Sequence, residues 1–168
     1  MNYISDTQLK INNCYNVIIE IPKGTNKKYE LEDKVFDKVL CVRRVKGKYP
    51  FYYGCFPQTY AGDKDPLDMV LLSNKNRDIL SIVEVEPIGV IKTLDNNEID
   101  DKIFVIAKDE EIKNKDKLIK KAIKFLYSYK GKKANTIIDP IFYGKEEAIK
   151  LINEANKAFS PNNSLKSF

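Results

Sequence analysis

The apolar pattern of this chain changes period once, and that change constrains the fold more than any other feature. Up to Ala107 apolar residues fall in short runs bounded by proline, glycine or acidic turns; from Lys115 they fall at helical spacing. Tyr15-Asn16-Val17-Ile18-Ile19-Glu20-Ile21 reads as a strand ended by Pro22 and Gly24. Period two puts Tyr15, Val17, Ile19 and Ile21 on one face and Ile18 and Glu20 on the other. Lys27 to Glu32 and Val35 to Val45 read as two further strands joined by a hairpin around Asp33-Lys34, with Lys28 and Glu30 pointing the same way. Leu67 to Leu72, Ile79 to Glu86, Ile88 to Leu94 and Lys102 to Ala107 complete the strands, and Pro87 suits an edge or a bulge. Tyr49 to Gly54 reads as an aromatic loop, residues 1–14 as polar surface cover, and Asp95 to Glu98 as a turn. Lys115 to Lys130 then places Leu118, Ile119, Ala122, Ile123, Leu126 and Tyr129 on one helical face, and residues 145–159 do the same with Ala148, Ile149, Ile152, Ala155 and Phe159. Short strands followed by two amphipathic helices predict a mainly β (α+β) fold: a small, mostly antiparallel barrel with the helices packed outside. Residues 160–168 read as a loose tail of a single domain spanning 1–168.

Composition narrows the chemistry. The chain has 168 residues, 43% of them hydrophobic, which suits one compact domain. No apolar run approaches the ~20 residues that span a bilayer, and the N-terminus lacks a secretory pattern, so a cytoplasmic protein with no membrane partner is expected. Cys14, Cys41 and Cys55 show no C-x-x-C spacing and the chain has no histidine, which argues against zinc and for free thiols in a reducing compartment. The same absence removes Ser-His-Asp and Cys-His catalysis, leaving carboxylates, lysine, arginine, tyrosine or a metal. The net charge of +5 suits anionic partners, and it also follows from a Lys- and Asn-rich composition without any function.

Gly62-Asp63-Lys64-Asp65-Pro66-Leu67-Asp68 sets three carboxylates within six residues, directly before Met69-Val70-Leu71-Leu72. Carboxylates this close share a small space only with a cation between them or with solvent screening them. Two readings stand at this point: a solvated acidic turn, or a site for a hard divalent ion that leaves positions open for phosphate. An EF-hand fails, because Leu67 stands where an oxygen ligand belongs and Asn74 where the closing glutamate belongs. Neither G-x-x-x-x-G-K-[ST] nor G-x-G-x-x-G occurs. Further polar groups lie on or beside strands, Glu20, Lys28 with Glu30, and Asp95 with Asp100 and Lys102; added to these are Arg43 and Arg44, Tyr49 and Tyr53, and the late pair Tyr129-Lys130. Each alone is explained by a solvated surface or a helix core. Together they supply carboxylates for several Mg²⁺ ions and cations and hydroxyls for phosphate oxygens.

At this point the residues resemble a known family. Asp63-Lys64-Asp65-Pro66-Leu67-Asp68 is similar to the D-x-D-P-x-D signature of family I soluble inorganic pyrophosphatases. The resemblance continues through Ile19-Glu20-Ile21-Pro22, Lys28-Tyr29-Glu30, Tyr53-Gly54, Phe56-Pro57-Gln58-Thr59, Pro87-Ile88-Gly89-Val90, Asp95 to Lys102 and Tyr129-Lys130, in the family's order. It implies a five-stranded, oligonucleotide-binding-like barrel and a homo-oligomer, commonly a hexamer. It implies Mg²⁺ as cofactor, several ions with Mn²⁺ able to substitute, and pyrophosphate as substrate. Asp63, Asp65, Asp68, Asp95 and Asp100 would be the metal-binding carboxylates, with Glu30 acting through water and Glu20 and Tyr49 in support. Lys28, Arg44, Tyr53, Lys102, Tyr129 and Lys130 would hold the two phosphates, with Arg43 the alternative to Arg44 and with Lys132 or Lys133 as a further contact. Asn96 and Tyr52 depart from the pattern of many short members. The implied reaction is hydrolysis to two orthophosphates by in-line attack of a metal-bridged hydroxide, with Asp65, Asp68 and Asp100 as the catalytic carboxylates and Asp65 as general base.

A nucleic-acid-binding barrel is the rival, on the strength of the positive charge and of Tyr49, Phe51, Tyr52 and Tyr53 as stacking platforms. Five aspartates on the same barrel would repel a phosphate backbone, so no nucleic-acid partner is expected.

Overall fold

The computed structural model describes residues 2–31, 39–62, 64–129 and 136–159. The elements in chain order are α1 (Tyr3–Asp6), β1 (Lys10–Ile11), β2 (Cys14–Ile21), β3 (Lys27–Leu31), β4 (Val39–Arg44), β5 (Tyr52–Cys55), β6 (Asp68–Leu72), β7 (Ile82–Asp95), β8 (Glu98–Ile99), β9 (Lys102–Ala107), α2 (Lys115–Ser128), β10 (Thr136–Gly144) and α3 (Lys145–Phe159). Five strands pair in the order β2-β5-β6-β9-β7, and β7 pairs back onto β2, which closes the ring. Closure leaves these strands no free edge. The ring is antiparallel except where β6 and β9 run parallel, Asp68 opposite Lys102 through Leu72 opposite Ile106. β3 and β4 form a separate hairpin, whose connecting turn lies outside the described residues. The expected five-stranded barrel with helices outside is the observed architecture.

Strands buried on both faces carry the core. Met69, Leu71, Ile103 and Val105 cluster with Ala148, Ile152 and Ala155 of α3, while Val70, Leu72 and Phe104 cluster with Ala122, Phe125 and Leu126 of α2. Each helix therefore covers one side of the sheet with its apolar stripe. The same two-sided burial modifies the expected alternation in β2, where Val17, Ile18 and Ile19 are all fully buried.

Several elements differ from expectation. The two strands expected on either side of Pro87 are one, β7, and its pairing with β9 slips between Pro87 and Gly89. A bulge absorbs the residue that cannot donate a backbone N–H. The strand starts at Ile82 because Leu80 has φ +65° and turns the chain. The aromatic loop is in part β5, whose four residues are all buried and so show no alternation. Gly54 sits at its centre, where a Cβ would collide with the Ile18 carbonyl oxygen. Residues 1–14 carry α1, capped by the Asn2 side chain, and a hairpin whose Asn12-Asn13 turn has φ 48° and 68°, the conformation asparagine tolerates best after glycine. β10, interrupted at Asp139-Pro140, adds an outer strand to β7.

Candidate functional site

Parallel pairing starts β6 and β9 at the same rim, and their first residues are Asp68 and Lys102. Lys102 Nζ donates to Asp68 Oδ2 at 2.6 Å and lies 2.8 Å from Asp100 Oδ1, with Lys102 only 4% exposed. Tyr53 on β5 donates its hydroxyl to the same Asp68 oxygen at 2.8 Å, and Lys102 Nζ sits 5.5 Å from the centre of its ring. Asp100 is held by the β7–β8 hairpin: its N–H donates to the Thr93 carbonyl, and the Thr93 hydroxyl donates to the Asp100 carbonyl. Burial pushes the Asp68 carboxyl up to about 6 against the pull of Lys102, and the Asp100 carboxyl, within hydrogen-bond reach, pushes it the same way. Burial pulls Lys102 down, but Asp68 and Asp100 outweigh it and hold the ammonium charged.

Aromatic rings wall this centre. Tyr49 lies 6.3 Å from the Tyr53 ring and 6.1 Å from the Tyr129 ring. Burial, with Lys102 pulling the other way, puts the Tyr129 hydroxyl at about 12, and burial raises Tyr53 and Tyr49 further, so all three are neutral donors at neutral pH. On the barrel side, burial and then Asp68 push Glu20 up to about 8, although the Leu31 N–H and the Cys55 thiol donate to it. Lys28 pairs with Glu30 at 3.0 Å on β3.

The arginines are sorted by register. Arg43 is the cross-strand partner of Lys28 and Arg44 that of Lys27, with a bulge between Lys28 and Tyr29. Cross-strand partners share a face, so Arg43 shares that of Lys28. Its charge also reaches the Tyr49 and Tyr129 hydroxyls. By register Arg43 stands on the face of Lys28 and Arg44 on the opposite face, because adjacent strand residues alternate.

Asp65 stands on the exposed turn into β6, behind Lys64 at φ +65°. Asp95, at the end of β7, accepts from Thr136 Oγ1 at 3.1 Å and faces Glu98 in the same hairpin that carries Asp100. Asp63, Lys130, Lys132 and Lys133 lie outside the described residues. Among the described residues no three carboxylates or thiols converge as a metal cage. Asp68 and Asp100 nevertheless present more negative charge than Lys102 balances, and Glu20, kept protonated by burial and Asp68, adds a further hard oxygen donor. That donor set fits a hard divalent cation. Cys55 is the contact that the residue pattern did not reveal. Its alternation with Tyr53 would have placed both on one face had residues 52–55 read as a strand.

The chain matches the family model described as inorganic pyrophosphatase over residues 17–160. It is 35% identical over 154 residues to an inorganic pyrophosphatase of Nanoarchaeum equitans, a match covering 84% of this chain and 94% of that protein. It is 41% identical over 98 residues to an inorganic pyrophosphatase of Sulfolobus acidocaldarius, a match spanning 56% of each. The crystal structure of an inorganic pyrophosphatase from Thermus thermophilus superposes with a TM-score of 0.84 over 95% of this chain and 99% of that one; at 22% identity it bears on the fold. With its sequence, its closed barrel and its order of motifs in agreement, the chain belongs to the inorganic pyrophosphatase family, family I.

Proposed function

We propose that this chain, an inorganic diphosphatase by family, hydrolyses pyrophosphate to two orthophosphates with Mg²⁺, in the cytoplasm and as a homo-oligomer. The observation that supports this best is Lys102, buried between Asp68 and Asp100 with the Tyr53 hydroxyl on the same oxygen. Two carboxylates against one ammonium cannot receive a multiply charged anion unaided: each unit-charge pair at 4 Å costs roughly 4 kcal/mol at an effective dielectric of 20. Mg²⁺ ions held by Asp68 and Asp100, with Asp63, Asp65 and Asp95 beside them and Glu30 reached through water, would neutralise that charge, polarise the phosphoryl oxygens and lower the pKa of a water. Mn²⁺ would fit the same oxygens.

The chain's own groups do the rest. Lys28, Arg43, Lys102 and Lys130 hold phosphate oxygens by charge-assisted hydrogen bonds, and Tyr53 and Tyr129 donate neutral ones. Asp65, on its exposed turn, takes the proton from the attacking water. The water oxygen forms a bond to one phosphorus as the bridging P–O bond opposite breaks, and the leaving phosphate carries away the bridging oxygen. Glu20, raised by burial and Asp68, stays protonated near neutral pH and adds no further negative charge. The nucleic-acid reading loses its platforms, because Tyr49, Phe51, Tyr52 and Tyr53 are between 0% and 7% exposed and cannot stack on bases.

The test is phosphate release from pyrophosphate with and without Mg²⁺, for the wild type, Asp65→Asn and Asp68→Asn, with circular dichroism as the fold control. The expected result is Mg²⁺-dependent release that drops at least ~100-fold in both variants. A folded, Mg²⁺-saturated wild type that releases no phosphate overturns the proposal.

A further inference from the structure

We propose that the cleft between β7, β10 and α3 is a second binding site, which takes a small organic cation with an apolar body and seats its charged head on Asp101. The cleft has a volume of about 720 Å³, within the range of small-molecule sites. Leu94, Ile99, Ile137, Leu151 and Ala155 give it apolar walls. Asp101 lines it between two residues of the neighbouring site: backbone alternation turns Asp100 and Lys102 one way and Asp101 the other.

Asp101 is 8% exposed, an unusual position for a carboxylate. Its Oδ1 accepts the Thr93 N–H at 3.1 Å, while Oδ2 accepts no hydrogen bond among the described residues. That oxygen is accessible rather than sealed off, on a residue that lines the cleft, so it can accept from a ligand's donor. The other charged groups of the cleft do not fill it. Lys92 is bound to Glu147 at 2.8 Å and lies over the Tyr143 ring at 4.6 Å. Asp139 is satisfied by neutral donors, the Ile141 N–H and the Tyr143 hydroxyl, so it keeps its charge. Four carboxylates, those of Asp101, Asp139, Glu147 and Glu154, face two ammonium groups, Lys92 and Lys150. This acidic cleft stands in a chain of net charge +5, so it is built for the opposite charge to that of pyrophosphate. A primary amine, guanidinium or amidinium meets Oδ2 with a charge-assisted hydrogen bond, and its hydrocarbon part meets the walls. The site belongs to this cleft alone and stands whether or not the chain hydrolyses pyrophosphate.

Benzamidine is the probe, with phenylacetate as its oppositely charged counterpart, titrated into ¹⁵N-labelled full-length protein in Mg²⁺ and followed by amide shifts. Saturable shifts at Thr93, Asp101, Ile137 and Leu151 are expected, with a dissociation constant on the order of 1 mM or below. Asp101→Asn keeps the acceptor for Thr93 N–H and removes the charge, and weakens binding at least ~10-fold, the loss of one charge-assisted bond. Ala158→Phe, on an exposed position at the mouth, blocks binding without touching the core and decides the matter if Asp101→Asn does not fold. Equal binding of phenylacetate, unchanged affinity in both variants, shifts confined to Tyr53 and Asp68, or no saturation each overturn the proposal.

Discussion

Replacing Lys102 with methionine tests the electrostatic account of the site without relying on activity. Methionine keeps most of the stem but leaves Asp68 and Asp100 facing each other without the ammonium now 2.6 and 2.8 Å away. Removing one partner of a buried ion pair costs about 3–5 kcal/mol, because the remaining charge stays desolvated. Lys102 is 4% exposed, so screening by solvent offers little relief. The pair has one escape, which is to share a proton. Asp68 already sits near 6, raised by burial despite the lysine, and loss of the lysine raises it further. A folded carboxyl above its unfolded pKa binds more protons folded than unfolded, so stability falls as pH rises through that window. The loss in Lys102→Met should therefore be full at pH 8 and smaller at pH 5, by up to about 1.4 kcal/mol per pH unit below the new pKa. Urea unfolding followed by circular dichroism, in EDTA and at fixed protein concentration, measures it. With a slope of about 2 kcal/mol/M the midpoint should drop by roughly 2 M at pH 8. Asp68→Asn added to Lys102→Met should recover much of the loss, since the repelling charge is gone. A loss below about 1 kcal/mol, a loss equal at both pH values, or a double variant worse than the single one would refute the reasoning.

Other expectations follow from single contacts. Glu20 near 8, raised by burial and then by Asp68, holds a proton in the folded chain that the unfolded chain releases above its ordinary 4.5, so metal-free stability should decline between these values. Glu20→Gln should flatten that decline, read as midpoint against pH, and an unchanged profile would remove the burial argument. Arg43→Ala should weaken pyrophosphate use about 10-fold or more in kcat/KM, the value of one charge-assisted hydrogen bond, while Arg44→Ala changes it less than about 2-fold. The reverse ranking in steady-state assays would mean that the arginine face is read wrongly. Gly54→Ala should destabilise by at least about 1–3 kcal/mol, since its methyl group meets the Ile18 carbonyl oxygen and the Met69 side chain. A melting temperature equal to that of the wild type would show the barrel can open there at no cost.

The most legible parts of the chain were those in which one face is dry and the other wet. The helices at Lys115–Ser128 and Lys145–Phe159 are such elements, and their periodicity survives into the structure. Asp100 and Lys102, grouped together in the sequence, meet as an ion pair through the buried Lys102 ammonium. Tyr52–Cys55 was illegible because both faces are buried and Gly54 imitates a turn residue. Thr136–Gly144 was hidden by Asp139-Pro140, which breaks its register in the middle of the strand. The choice between Arg43 and Arg44 depended on a bulge at Lys28, a tertiary fact that local spacing does not encode. Asp101 carried no signal, because between Asp100 and Lys102 it looks like one more member of the same cluster.

The parallel seam between β6 and β9 also dates the site within the life of the chain. Asp68 and Lys102 are 34 residues apart, and β7, which separates them in sequence, pairs with both β2 and β9. Contacts of this separation form late, because the intervening loop must be ordered first. A chain still emerging from the ribosome and ending before Lys102 carries Asp68 with no ammonium to balance it. Recovery of the buried ion pair during refolding should therefore report completion of the barrel, and a half-made ring has no working site to expose.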